Sequence, residues 1–309
     1  MPAAPFLLPD ALVLGVGGVV GEAWMTGVLA GLEDAASLDF RECEYFVGTS
    51  AGAIVGANLA AGRRARRPDE VERDVAPPGL PSEPGTVEGV ARAALRWSIA
   101  LSSPLVLRAA PLEAPVRAVT RAAMLAAFVP LGKESSEELR REMVRLGARF
   151  DGRLRVCCAD RRSARRVVFG GPGGPRATVA EAVAASCAIP GRYRPVEIGG
   201  REYVDGGAWS PSNIDAAPVG ADARILCLNS TAALNGGLVS RAGPAVAVVR
   251  ATAAVEAMRM RAKGACVDVV GPDQRAADAM GAEYMDPGRR AAALVAGYAQ
   301  GRELAEDAI

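Results

Sequence analysis

With 309 residues, half of them apolar, the chain is long enough for one large α/β domain or two smaller ones around a sizeable core. Lys and Arg number 36 against 35 Asp and Glu, a net charge of +1 that offers no bulk electrostatic case for binding nucleic acid. There is no histidine, which excludes every Ser-His-Asp triad, Cys-His pair and histidine-ligated metal site. A serine nucleophile in this chain then needs a carboxylate, a lysine or a water held by one of them as its base, and with Lys133 and Lys263 the only lysines, Asp or Glu are the strong candidates. Six scattered cysteines without a C-x-x-C pair read as buried, reduced thiols, which suits a reducing compartment. The N-terminus lacks a basic region before its apolar stretch, and no run reaches the length of a clean membrane span. The expectation is a cytoplasmic protein, transiently at a membrane surface, with no metal and no cofactor.

In chain order, residues 11–16 form a short apolar run that reads as a buried parallel strand. Gly17-Gly18-Val19-Val20-Gly21 follows, then helical periodicity from Glu22 to Leu32. A strand, a glycine loop and a helix make an anion-binding arrangement, because free N–H groups converge at the helix N-terminus. Gly15, Gly17, Gly18 and Gly21 also resemble a dinucleotide fingerprint. The acidic strand end expected about 20 positions on for a ribose contact is not evident.

The run Tyr45-Phe46-Val47 leads into Gly48-Thr49-Ser50-Ala51-Gly52, followed by small and apolar residues at helical spacing. That is the pattern of a nucleophile elbow, in which a sharp turn between strand and helix presents one serine. The segment 62–85 is rich in Arg, Pro and acidic residues and reads as a solvated connection, with a basic rim for anionic head groups as the alternative. Helices are expected over 87–107, 116–128 and 136–146, the last with a capping start at Ser135 or Ser136. The block from about 63 to 150 is thus a helical insert, either a cap over a site or structural cover.

Strands are expected at 154–159 and 166–169, and a helix over 178–188. A hairpin follows, Pro195 to Ile198 and Arg201 to Val204 around Gly199-Gly200, ending in Asp205-Gly206-Gly207. Further strands at 223–228 and 266–270, a helix over 241–260 and a helical tail from about 289 complete the alternation. It argues for a single α/β domain with a largely parallel sheet. Asp-Gly-Gly alone is ordinary turn chemistry. Among the carboxylates, however, Asp205 is the best base on local grounds, since Gly206 and Gly207 leave it open to close approach.

Together these features resemble the patatin-like phospholipase family over nearly the whole chain. The matching segments are Gly17 to Gly21 for the glycine-rich oxyanion loop, Gly48 to Gly52 for the elbow, Ala185-Ser186-Cys187-Ala188-Ile189-Pro190-Gly191, and Asp205-Gly206-Gly207. Two departures stand out: Val20 where many members carry Arg or Lys, and Val16 at the first glycine of the family's Gly-Gly-Gly. The resemblance implies a three-layer α/β/α fold over 1–309 with the helical insert inside it. It also implies a Ser50–Asp205 dyad, with Gly17, Gly18 and Val19 as oxyanion donors and Gly21, Gly48, Gly52, Gly206 and Gly207 in support. The implied activity is hydrolysis of fatty acyl esters of phospholipids, lysophospholipids or neutral lipids through an acyl-enzyme. A catalytically silent lipid-binding protein and an acyltransferase are the alternatives. Arg192 and Arg194, just past Pro190-Gly191, are candidate contacts for a phosphate head group.

Overall fold

Eight short apolar runs become the strands of one mixed sheet in the computed structural model, which describes residues 6–71, 132–233 and 244–307. They are β1 (Ala11–Leu14), β2 (Tyr45–Gly48), β3 (Leu154–Asp160), β4 (Arg166–Phe169), β5 (Val196–Ile198), β6 (Arg201–Asp205), β7 (Arg224–Leu228) and β8 (Cys266–Val270). β3, β2, β1, β7 and β8 run parallel, while β4, β5 and β6 join in antiparallel pairs. The helices are α1 (Gly18–Ala36), α2 (Ala51–Ala60), α3 (Pro68–Val71), α4 (Glu137–Leu146), α5 (Val179–Ser186), α6 (Pro244–Ala262), α7 (Gln274–Met280) and α8 (Arg290–Asp307). The helices expected over 87–107 and 116–128 lie outside the described residues.

Side-chain alternation along the strands divides the core into two faces. Leu12, Leu14, Phe46, Leu154 and Val156 pack with α1, α2, α4, α5 and α8. Ala11, Val13, Val47, Cys157, Ile225 and Cys227 face the other way, toward Ala253, Ala257 and Met260 of α6. Helices on both sides of a mostly parallel sheet make a three-layer α/β/α architecture, which is why the central strands are apolar on both faces.

The layer that carries α1 is held by an unusually close helix pair. α1 and α8 run parallel, and a Cβ on Gly27 or Gly31 would overlap the carbonyl of Leu294 or Tyr298, while one on Gly297 or Gly301 would overlap that of Trp24 or Val28. Glycine at a four-residue spacing on both helices lets the backbones touch. Trp24 Nε1 donates to Gln300 Oε1 at 2.9 Å across the same contact.

Several local expectations shift. α1 starts at Gly18, inside the glycine loop, and not at Glu22. At the start of α4 Ser135 Oγ accepts from the Glu137 N–H at 3.2 Å while the Ser136 side chain makes no cap, and a full capping box forms on α5, between Thr178 and Glu181. The start of the segment read as a solvated connection is tied down: Arg66 pairs with Glu22 at 2.6 Å, and Arg67 with Glu33 at 2.9 Å and Asp34 at 2.8 Å. All six cysteines are free and five are buried; Cys266 is exposed because it opens the edge strand β8.

Gly31→Val should lose about 3 kcal/mol of stability, because rigid carbonyls and not flexible side chains occupy the space its branches need. Gly220→Ala, where nothing lies within 4 Å of an added Cβ, should change stability by less than about 0.5 kcal/mol. Thermal or urea unfolding of the two variants beside the parent checks both values.

Candidate functional site

The site is built on β3. At Val156 this strand pairs with Gly48 of β2 and with Phe169 of β4; at Cys158 it pairs with Val167 of β4 and with Asp205 of β6. A strand residue has one neighbour on each edge, so β4 occupies one edge and β2 and β6 share the other. β2 is parallel to β3 and β6 antiparallel, so their C-terminal ends face each other. The pairing positions of Gly48 and Asp205 are two residues apart on β3, or roughly 7 Å. Ser50 follows β2 directly, and Asp205 ends β6.

Ser50 caps the N-terminus of α2 with φ 54° and ψ −120°. A non-glycine residue at positive φ is strained and persists only where its surroundings over-determine it. Here they do. Thr49 N–H donates to Leu14 O at 3.0 Å, Gly52 N–H to Gly15 O at 3.1 Å, and Ala53 N–H to Ser50 O at 2.8 Å. A Cβ on Gly52 would overlap the Leu14 carbonyl, and one on Gly48 would sit 2.5 Å from Ala53 Cα, so the turn closes only with glycine at both places. The Ser50 N–H donates to Ser186 Oγ at 2.8 Å, and the Ser186 hydroxyl donates to Cys157 O at 2.7 Å. Fully buried Ser186, the last residue of α5, therefore ties the serine turn to β3, the strand against which Asp205 of β6 is paired. Thr49 Oγ1 accepts from Asn213 Nδ2 at 3.1 Å, bracing the turn from the α6 side.

Asp205 is 0% exposed. Its Oδ1 accepts from Gly207 N–H at 2.7 Å, and its own N–H donates to Ala188 O at 3.0 Å. Oδ2 is buried with no hydrogen-bond partner. Burial pushes the carboxyl up to about 7; the Ser50 hydroxyl and the Gly207 N–H pull the other way without cancelling it. Gly206 lies against the Cys157 carbonyl, where a Cβ would not fit.

The glycine loop lies at the N-terminus of α1. Gly17 is the N-cap, and the N–H groups of Gly18 and Val19 fall in the first turn, where no carbonyl four residues back exists to receive them. Gly18 takes φ +57°, with the Tyr284 carbonyl and Met285 Sδ where a Cβ would be. Ser230 Oγ donates to Val16 O at 2.6 Å and fills the space beside Gly17 and Gly21. Val20 N–H donates to Tyr284 O at 3.2 Å.

A small cleft joins the glycine loop to the serine turn; it is lined by Gly18, Glu22, Ser50 and Ala51 and walled by Ile54, Leu139, Cys187, Ile189, Tyr193 and Met285. Glu22 is neutralised by Arg66 and by Arg290 at 3.2 Å. Cys187 stays a thiol, since burial raises it far above its usual range. Arg192 pairs with Glu134 at 3.2 Å and Arg194 is exposed; neither lines the cleft, although Tyr193 between them does. Ser186, Ser230, Tyr193 and Met285 were not assigned roles from sequence, and only Ser186 falls in a segment that the sequence singled out. Among the described residues no group of three or more His, Cys, Asp or Glu side chains converges to hold a metal ion, and no helix is long and apolar enough to cross a membrane.

A family model described as patatin-like phospholipase matches residues 12–218. None of the curated proteins matches the chain. Among solved structures, VipD from Legionella pneumophila aligns with TM-score 0.42 and 13% identity over 98% of this chain and 68% of its own. The type III effector protein ExoU aligns with TM-score 0.33 and 18% identity over 98% of this chain, which spans about half (54%) of that one.

Ser186→Ala leaves the Ser50 N–H buried without an acceptor, a loss of about 1–3 kcal/mol. If Ser186 positions the serine, kcat on an ester substrate falls roughly tenfold to a hundredfold while KM is kept. A KM effect with kcat unchanged would show that the hydroxyl does not align the turn.

Proposed function

Because the chain belongs to the patatin-like phospholipase family of lipid acyl hydrolases, we propose that it cleaves fatty acyl esters with Ser50 as nucleophile and Asp205 as base. One observation carries this reading above the rest. A fully buried carboxylate, with one oxygen fixed and the other unpartnered, ends a strand that runs head-on into the turn holding a strained serine. In the proposed reaction Asp205 Oδ2 accepts the hydroxyl proton as Ser50 Oγ attacks the ester carbonyl. The N–H groups of Gly17, Gly18 and Val19 receive the developing oxyanion, aided by the α1 dipole. Collapse of the tetrahedral species expels the alcohol, which takes the proton from Asp205. Water, deprotonated by the same carboxylate, then releases the fatty acid from Ser50.

Burial supports this role for Asp205. An ordinary aspartate, with a pKa near 4, is too weak a base for a serine hydroxyl; one raised to about 7 is a better match. The apolar wall of Ile54, Leu139, Ile189 and Met285 supports an acyl chain as the group bound beside Ser50. The same reading treats 1–309 as one domain with the block at 63–150 inserted in it, since β7 and β8, beyond the matched residues, complete the sheet. It places the protein in the cytoplasm, meeting lipid at a membrane surface.

Labelling with a fluorophosphonate probe, read by intact mass, tests the assignment. The parent should take one adduct, Ser50→Ala none, and Asp205→Asn should react at least about 100-fold more slowly. An adduct that survives in Ser50→Ala would move the nucleophile elsewhere. Since Asp205 acts ionised, kcat/KM of the parent should rise with pH through about 7 and level off above it; a profile flat from pH 5 to 9 would exclude Asp205 as the base.

Stability should move the opposite way. Folded Asp205 keeps its proton up to about 7, whereas the unfolded chain loses it near the ordinary aspartate value of 3.8. The folded state therefore binds more protons across that window, and stability falls as pH rises through it. The melting temperature of Asp205→Asn relative to the parent should accordingly climb between pH 5 and 8.

A further inference from the structure

The wall of the cleft carries a polar side chain for which the chemistry above has no use. Tyr193 is 4% exposed and lines the cleft together with Ser50, yet its hydroxyl has no hydrogen-bond partner. The ring is held firmly. Its N–H donates to Ile189 O at 2.9 Å, its backbone bridges to Glu134, and it packs among Ala188, Ile189, Val196 and Met285. The Arg192 guanidinium lies 5.7 Å from the ring centroid. Burial pushes the phenol up to about 12 against the pull of the neighbouring Arg192 guanidinium, which can only donate to it, so the hydroxyl is a neutral O–H donor throughout the physiological range and still lacks an acceptor. A buried hydroxyl without an acceptor destabilises the unliganded protein, and phenylalanine would fill an apolar wall without that penalty. The tyrosine is accounted for if an acceptor arrives with the ligand.

We propose that Tyr193 is a donor subsite for the alcohol half of the substrate. Its hydroxyl donates to a second acceptor oxygen, on the glycerol or the phosphate of an acyl ester, while Ser50 meets the acyl carbonyl. This rests on the acyl-hydrolase reading and adds a selectivity to it: esters whose alcohol carries an oxygen acceptor are preferred over plain aryl or alkyl esters. Arg192 is paired with Glu134, so the subsite admits a neutral acceptor as well as an anionic one.

The test measures kcat/KM on three substrates with one acyl chain, a monoacylglycerol, its 3-phosphate and a phenyl ester, for the parent and Tyr193→Phe. The ratio of glyceryl-ester to phenyl-ester kcat/KM should fall about tenfold in the variant, the order expected for one lost hydrogen bond. A fall in both glyceryl arms assigns the glycerol oxygen; a fall in the phosphate arm alone assigns the phosphate. Equal losses in all three arms, or none, overturn the subsite. Unliganded Tyr193→Phe should melt at or above the parent; a clear drop would mean the hydroxyl already has a partner and would also overturn it. A parent that takes the fluorophosphonate adduct but shows unchanged ratios defeats the subsite alone, whereas a parent that takes no adduct defeats the hydrolase reading itself.

Discussion

The site depends on one constraint, that β2 and β6 occupy the same edge of β3 and meet head to head. Parallel β2 ends where its pairing with Val156 stops, and antiparallel β6 ends opposite Cys158. Backbone hydrogen bonds therefore set the separation between the serine turn and Asp205 before any side chain contributes. β4 on the far edge spans both pairings and keeps the two halves of β3 in one straight register. Ser186 adds a second tie, from the Ser50 N–H to the carbonyl of Cys157, midway between those two pairing positions.

On this frame the protein holds two unfavourable features side by side: a serine at positive φ and a buried carboxylate without a cation. Each would relax if isolated. Neither can, because Leu14 and Gly15 receive the N–H groups around the serine and Ala188 and Gly207 fix the backbone and Oδ1 of Asp205. A carboxylate starved of partners is a better proton acceptor, which is the property that the proposed role of Asp205 requires.

The last third of the chain, beyond the residues matched by the family model, shapes the glycine loop at the start of α1. Ser230 clamps Val16, Tyr284 receives the Val20 N–H, and Met285 closes over Gly18. α8 lies on α1 through glycine contacts, and Arg290 at its start reaches Glu22 in the cleft wall. Val16 and Val20, which depart from the family's glycine loop, are both buried by this packing. The loop's shape is thus held from outside, and its backbone donors do not depend on a glycine at position 16.

Much of this was legible in the chain because the signals are local. A strand feeding Gly-x-Ser-x-Gly demands a turn that only glycine permits at Gly48 and Gly52, and Gly199-Gly200 marks a hairpin by the same logic. The absence of histidine, with only two lysines in the chain, leaves Asp or Glu as the strong candidates for a serine's base, whatever the fold. Arg66 and Arg67 misled, because their acidic partners on α1 lie more than 30 positions away and a charge run looks solvated until they are found. Ser186, Ser230 and Tyr193 were silent for a related reason: a serine or tyrosine looks alike in a sequence whether its hydroxyl is bonded, clamping or orphaned. By itself, then, the sequence determined the available chemistry and the places where the backbone must turn. Only the tertiary structure decided which carboxylate faces the serine and how strongly it holds a proton, because pairing register and burial arise from contacts between residues far apart in the chain.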